Sequence, residues 1–194
     1  KFYLESGKSW SLEEAVRCCE ALLRYRYLET KGVGIMLLSR FKGQFTKELF
    51  TRIESWLAAD LCNNWASADS LALSILAPLL ARHPELIQRL SRWAHSRNLW
   101  LRRSAAVGLV PLARKGVSLD AAYFVARALL GGREDLIHKG VGWLLRESGK
   151  TDPERLKDFL LANGSHIPRT AVRYAIERFP APTRKALLAA TRFR

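Results

Sequence analysis

LFTRIESWLAADLCNNWASADSLALSILAPLL, residues 49–80, decides the fold. Leu49, Ile53, Trp56, Leu57 and Leu61 recur at three- and four-residue spacing, and after a polar break so do Leu71, Ile75, Leu79 and Leu80. That spacing puts the apolar side chains on one face of a helix, twice over. The stretch therefore predicts two amphipathic helices, 46–61 and 66–82, joined by a short polar loop.

Working outward, the same periodicity predicts helices over 12–27, 30–42, 84–96, 99–115, 119–130, 134–147, 153–163, 168–179 and 182–191, and leaves strands no clear place. Start signals support them. Ser11 with Glu14 three residues on is a capping box, Asn98 precedes a helical run, and Pro84, Pro153, Pro168 and Pro182 stand where first-turn prolines belong. Helices starting near 46, 84, 119 and 153 alternate with helices starting near 66, 99, 134 and 168, a period of roughly 35 residues. A helical pair of that size cannot bury its apolar stripe alone, so neighbouring pairs stack. The expected fold is all-α: an α-solenoid of HEAT-like antiparallel helical pairs, forming one curved domain over 1–194 with a basic concave face. A compact helical bundle is the alternative. Because the chain begins at Lys1 without an initiator methionine, a further N-terminal element is expected.

The formal charge of +14 and a pI near 10.3 call for a polyanionic partner, nucleic acid first. The excess is uneven: 14 basic and 10 acidic residues lie before Asn98, against 18 and 8 from there on. Cys18, Cys19 and Cys62 form no spaced framework, and His83, His95, His138 and His166 lack ligand spacing, so neither disulfides nor a metal site is expected. The absence of a long apolar run and of a signal peptide points to a soluble, cytoplasmic protein with no membrane contact, expected as a monomer without cofactors.

Sorting the unusual residues by helix gives Trp65 and Asp69, then Arg102 and Arg103, then Lys139, Trp143 and Arg146, then Arg169 and Arg173. All fall on second helices, which in a solenoid line one surface. Most lie near helix starts, where free N–H groups suit phosphates. Trp65 and Asp69, four residues apart, share a helix face. The competing reading makes Trp65 a core aromatic and Asp69 a partner of the helix dipole. Trp10, Trp56, Trp93 and Trp100 sit in apolar stripes and are expected in the core.

The stretches Asn64-Trp65-Ala66-Ser67-Ala68-Asp69, Asn98-Leu99-Trp100-Leu101-Arg102-Arg103, Lys139-Gly140-Val141-Gly142-Trp143-Leu144-Leu145-Arg146-Glu147 and Ile167-Pro168-Arg169 through Arg173-Tyr174-Ala175-Ile176 resemble, in order and spacing, the AlkD-type DNA alkylation repair glycosylases. The resemblance runs from about Leu22 to the C-terminus. It implies that Trp65, Asp69, Arg103 and Trp143 surround the lesion, and that the substrate is duplex DNA carrying N3-alkyladenine or N7-alkylguanine, held against a shallow surface without insertion into a pocket. Arg102, Lys139, Arg146, Arg169 and Arg173 are then phosphate contacts. Many relatives carry an acid directly after the first tryptophan, where this chain has Ala66. The resemblance also implies an N-terminal helical segment with a DNA-facing aromatic, a role given to no residue here.

The chemistry is consistent with these residue types. A cationic alkylated purine is already an activated leaving group, so one carboxylate can suffice where ordinary glycoside hydrolysis uses two. Three other functions remain: a non-catalytic HEAT-like protein binding DNA by shape, a protein-binding scaffold, and a lyase using Lys139 as a Schiff-base nucleophile, which would need a lowered amine pKa.

Overall fold

The computed structural model describes residues 10–192, which fall into two compact units, Lys1–Leu86 and Ile87–Arg194. Among the described residues there are helices and no strands.

In the first unit, α1 (Leu12–Leu23) starts with the predicted capping box: Ser11 N donates to the Glu14 carboxylate at 2.7 Å, and Glu14 N donates back to Ser11 Oγ at 3.3 Å. Helix α1 packs on α2 (Leu28–Ser39). A Cβ at Gly34 would lie 3.0 Å from Leu22 Cβ, so glycine sets their close approach. Lys31 is buried, its ammonium donating to the Leu23 carbonyl at 3.0 Å and to the Leu61 carbonyl. It thereby satisfies two carbonyls near helix ends that would otherwise lack partners. Helix α3 (Glu48–Ala58) buries Leu49, Phe50, Ile53, Trp56 and Leu57, the stripe read from the sequence.

The predicted helix 66–82 is continuous but not uniform. It runs as α4 (Trp65–Leu71), a π-helical turn (Ala72–Leu76) and α5 (Ala77–Arg82). The wide turn ends two residues before Pro78, whose ring has no N–H to donate and crowds the carbonyl one turn back.

In the second unit, the 3₁₀ turn Pro84–Arg89 leads into α6 (Leu90–Ala94), shorter than the predicted 84–96 helix. Then follow α7 (Leu99–Val107), α8 (Val110–Ala113), α9 (Leu119–Leu129), α10 (Asp135–Ser148), α11 (Pro153–Asn163), α12 (Arg169–Ala175) and α13 (Ala181–Ala190). Pro111 splits the predicted 99–115 helix into α7 and α8 by removing a helical donor. Pro168 stands one residue before α12, as its cap, not inside the first turn.

Side chains start these helices as the sequence suggested. Asn98 Oδ1 accepts from Trp100 N and Leu101 N at 2.8 and 3.0 Å, and Asp152 Oδ1 accepts from Arg155 N at 3.0 Å. Helix α6 packs on α7 and α9 on α10, while successive pairs meet first helix to first helix (α6 with α9) and second to second (α7 with α10, α10 with α12). That is the HEAT-like stacking expected from a 35-residue period. Trp56 and Trp93 lie in the core at 1% exposure, whereas Trp10 and Trp100 are half-buried. No described helix is long and apolar enough to cross a membrane.

Candidate functional site

In the first unit the candidate pair is built by one cap. Asn64 is extended, and its Oδ1 accepts from Ser67 N at 2.9 Å, so the helix starts at Trp65. The indole thus leaves the first position of α4, before any apolar stripe begins, and is 59% exposed. Its reading as a core aromatic is overturned. One turn later Asp69 is only 9% exposed, flanked by buried Ala68 and Leu71. An outward indole and an inset carboxylate thus lie one turn apart on the same helix. The π turn begins three residues after Asp69 and sets the register of everything beyond it.

In the second unit the predicted cations are spread over α7, α10 and α12, three helices packed side by side. Three of them, Arg102, Arg103 and Arg146, have partners about one repeat away. Arg102 makes two bonds to the Glu134 carboxylate, at 3.0 and 2.5 Å, and the guanidinium holds that carboxyl down to about 2. Arg103 is buried and donates from Nη1 to the Leu136 carbonyl, in the first turn of α10. Lys139 pairs with Asp135 at 2.7 Å on the surface of α10, and the carboxylate's hydrogen bond raises its pKa. Arg146 bridges to Glu177 and approaches Glu147 at 3.4 Å. Arg169 donates from Nη1 to the Leu188 carbonyl at 3.0 Å and to Thr191 Oγ1 at 3.2 Å. Arg173 is exposed.

Trp143 is half-buried, with its indole N–H turned inward and without a hydrogen-bond partner among the described residues. What it offers outward is ring carbon, the part of an indole that attracts cations.

The Lys139-Gly140-Val141-Gly142-Trp143 stretch has a packing explanation beside its functional one. A Cβ at Gly142 would sit 2.8 Å from the Ala171 carbonyl oxygen and against Tyr174, so only glycine lets α10 and α12 approach this closely. At Gly140 a Cβ would meet Arg103 Nη1 at an ordinary 3.5 Å. Gly142 thus sets the spacing of α10 and α12, the helices that carry Trp143 and Arg173.

Glu147, in the same motif, is a residue that sequence reasoning left without a role. It is buried and joins Arg114 at 2.9 Å and Lys150 at 2.6 Å. Burial pushes its carboxyl up, but bonds from Lys150 and Arg114 outweigh that and hold it below the ordinary range.

Neither the buried cysteines nor Lys139 is set up as a nucleophile. Burial pushes the Cys62 thiol up to about 11 and Cys19 higher still, so neither is a thiolate at neutral pH. Among the described residues no group of three or more His, Cys, Asp or Glu is placed to hold a metal ion. A lyase role for Lys139 needs a lowered amine pKa, and Asp135 shifts it the other way.

Comparison with known proteins places this arrangement. The chain belongs to the DNA alkylation repair enzyme family, whose model matches residues 1–179. The match reaches further toward the N-terminus than the motifs alone and stops before α13. Among solved structures the fold is similar to one described as "Predicted DNA alkylation repair enzyme from Enterococcus faecalis", at 19% identity and a TM-score of 0.79, covering 92% of this chain and 81% of that one. A comparison with curated proteins gives no match.

Proposed function

We propose that the protein is a DNA glycosylase that hydrolyses the N-glycosidic bond of cationic alkylated purines, N3-alkyladenine and N7-alkylguanine, in duplex DNA. The observation that carries this reading is the α4 pair: an exposed indole one turn from an inset carboxylate, in a chain of the DNA alkylation repair family. The bond from C1′ to the base nitrogen breaks and its electron pair leaves with the base, which becomes neutral. Positive charge passes to the deoxyribose, where Asp69 meets it. Water adds its oxygen to C1′ and loses a proton, with Asp69 orienting the water or taking that proton. The carboxylate's interaction grows as the bond breaks, so it favours the transition state over the ground state.

Trp65 and Trp143 select for charge. An indole face attracts a cation by about 0.5–1 kcal/mol when exposed and about 2 kcal/mol or more when desolvated, whereas a neutral purine receives no such gain. Arg103, buried and anchored on the Leu136 carbonyl, holds its positive charge at the α7–α10 seam, where a phosphate would approach. Arg173 makes a phosphate contact without losing an internal partner. Arg102, Lys139, Arg146 and Arg169 contact phosphates with the donors their own partners leave unused, supplying orientation and not base readout.

Incubation with duplex DNA carrying a single N7-methylguanine, with free base measured against the spontaneous rate, tests the proposal. Release well above background is expected. Tight binding with no release would make the protein a non-catalytic DNA binder that recognises shape.

A further inference from the structure

Helices α12 and α13 enclose a groove of about 700 Å³ on the second unit. Its floor is apolar, with Ile176 and Leu188, and five cations line it: Arg169, Arg173, Arg184, Lys185 and Arg192. The carboxylate there, Glu177, is already bridged to Arg146. Arg169 is a structural peg, held by the Leu188 carbonyl and the Thr191 hydroxyl near the end of α13, where the helix dipole also favours a cation. The other four are exposed, and no carboxylate pairs with them among the described residues. Lys185 and Leu188, three residues apart, share one face of α13, and Arg192 follows just beyond its C-cap. Four unpaired cations around one apolar trough repel one another unless an anion occupies it.

We propose that this groove extends the DNA-contacting surface from Arg173 on α12 onto α13 and holds consecutive backbone phosphates of one strand, with the apolar floor against deoxyribose. A single phosphate would leave most of this charge unmet, whereas a run of phosphodiesters supplies one negative charge per cation. Arg184, Lys185 and Arg192 lie beyond residue 179, where the family match ends, so family membership does not assign them this role. The inference rests on the reading that DNA is the partner. It adds that affinity is supplied in part by the terminal helix, independently of sequence and of damage.

The test is the triple variant Arg184→Gln, Lys185→Gln, Arg192→Gln, all at exposed positions. It is compared with a control triple, Lys115→Gln, Arg127→Gln, Lys157→Gln, which removes the same charge from residues outside the groove. Binding to undamaged duplex is measured by fluorescence anisotropy across a salt series. Each phosphate contact contributes about 0.9 to the slope of log K against log salt. The groove triple should therefore weaken binding by about 10- to 100-fold at low salt and flatten the slope by about two to three, with the control close to wild type.

A groove triple that binds like the wild type, or no worse than the control, overturns the proposal. The glycosylase reading is judged separately, on the wild-type protein. Binding with the groove-dependent slope but no base release would sink that reading and leave the groove standing. Base release with binding indifferent to the groove would do the reverse.

Discussion

Residues 1–86 hold 11 Lys and Arg against 10 Asp and Glu, whereas residues 87–194 hold 21 against 8, so the first unit is near neutral and the second carries net +13. The inset carboxylate and the exposed indole belong to the first; every predicted phosphate contact belongs to the second. Asp69 is inset within the near-neutral unit, which suits a group proposed to meet developing positive charge. In the cationic unit a single charge matters less than the number left without an internal partner. On the proposed reading the hydrolytic carboxylate and the phosphate contacts lie in different units, and substitutions should split their effects.

The largest split is expected at Asp69. Asp69→Asn keeps the shape and removes the charge, and single-turnover excision of N7-methylguanine should fall by about 10²–10³, the scale of losing one preorganised electrostatic contact. Duplex affinity should hold or tighten. Arg173→Ala should give the converse: an unchanged rate at saturating enzyme, weaker binding to all sequences, and a salt slope reduced by about one. Loss of affinity at Asp69 with an unchanged rate would erase the division between the units.

Within the second unit the helix wall can be forced apart. Gly142→Ala drives a methyl into the Ala171 carbonyl and the Tyr174 side chain, and overpacking of this kind costs about 1–3 kcal/mol. Gly140→Ala meets Arg103 Nη1, Val107 and Ala106 at ordinary contact distances and gains helix propensity, so it should be neutral or stabilising by up to about 1 kcal/mol. Urea denaturation of both variants measures the difference. Equal costs would mean that α10 and α12 are not held together as closely as described.

How much of this was legible in advance depends on the range of the interaction. Apolar periodicity, Ser11–Glu14, Asn98 and the 35-residue spacing are local or repetitive signals, and they yielded the helices and their stacking. Trp65 was ambiguous because spacing gives a helix face but not whether that face is covered; the Asn64 cap, which starts the helix at the tryptophan itself, was the missing clue. The π turn was hidden because Pro78 reads equally well as a kink or a tolerated break. The partners of the cations were missed, yet a signal existed. Arg102 with Glu134, Arg114 with Glu147 and Arg146 with Glu177 are 32, 33 and 31 residues apart, close to one repeat. Searching for opposite charges at the repeat period would have found the ion pairs that join successive second helices.

One of those pairs predicts a pH dependence. Glu134 titrates at about 2 in the folded protein against an ordinary value of 4.5. A carboxyl with a depressed folded pKa stabilises the fold at pH above its ordinary value, and that contribution is lost as pH falls through the folded one. Stability of the wild type should therefore decline between about pH 4.5 and pH 2, and Glu134→Gln should flatten that part of the curve. Because Glu134 is partly open to solvent, the effect should be modest. Melting temperatures across this range, compared between the two proteins, provide the measurement.

The smallest effect is expected at Asp135, and it sharpens the division between paired and unpaired charge. The Lys139–Asp135 pair is exposed and four residues apart on one helix, an arrangement that water screens and that contributes little to stability. Near a phosphate, however, the carboxylate both occupies the ammonium and repels the strand. Asp135→Asn should leave the melting temperature almost unchanged and tighten duplex binding by about two- to threefold at low salt, with the gain vanishing as salt screens it. Lys139→Ala should weaken binding by a similar small factor, because in the wild type the lysine is already half-committed to its neighbour. If Asp135→Asn weakens binding instead, Lys139 does not reach a phosphate, and the pair serves only to hold the first turns of α10.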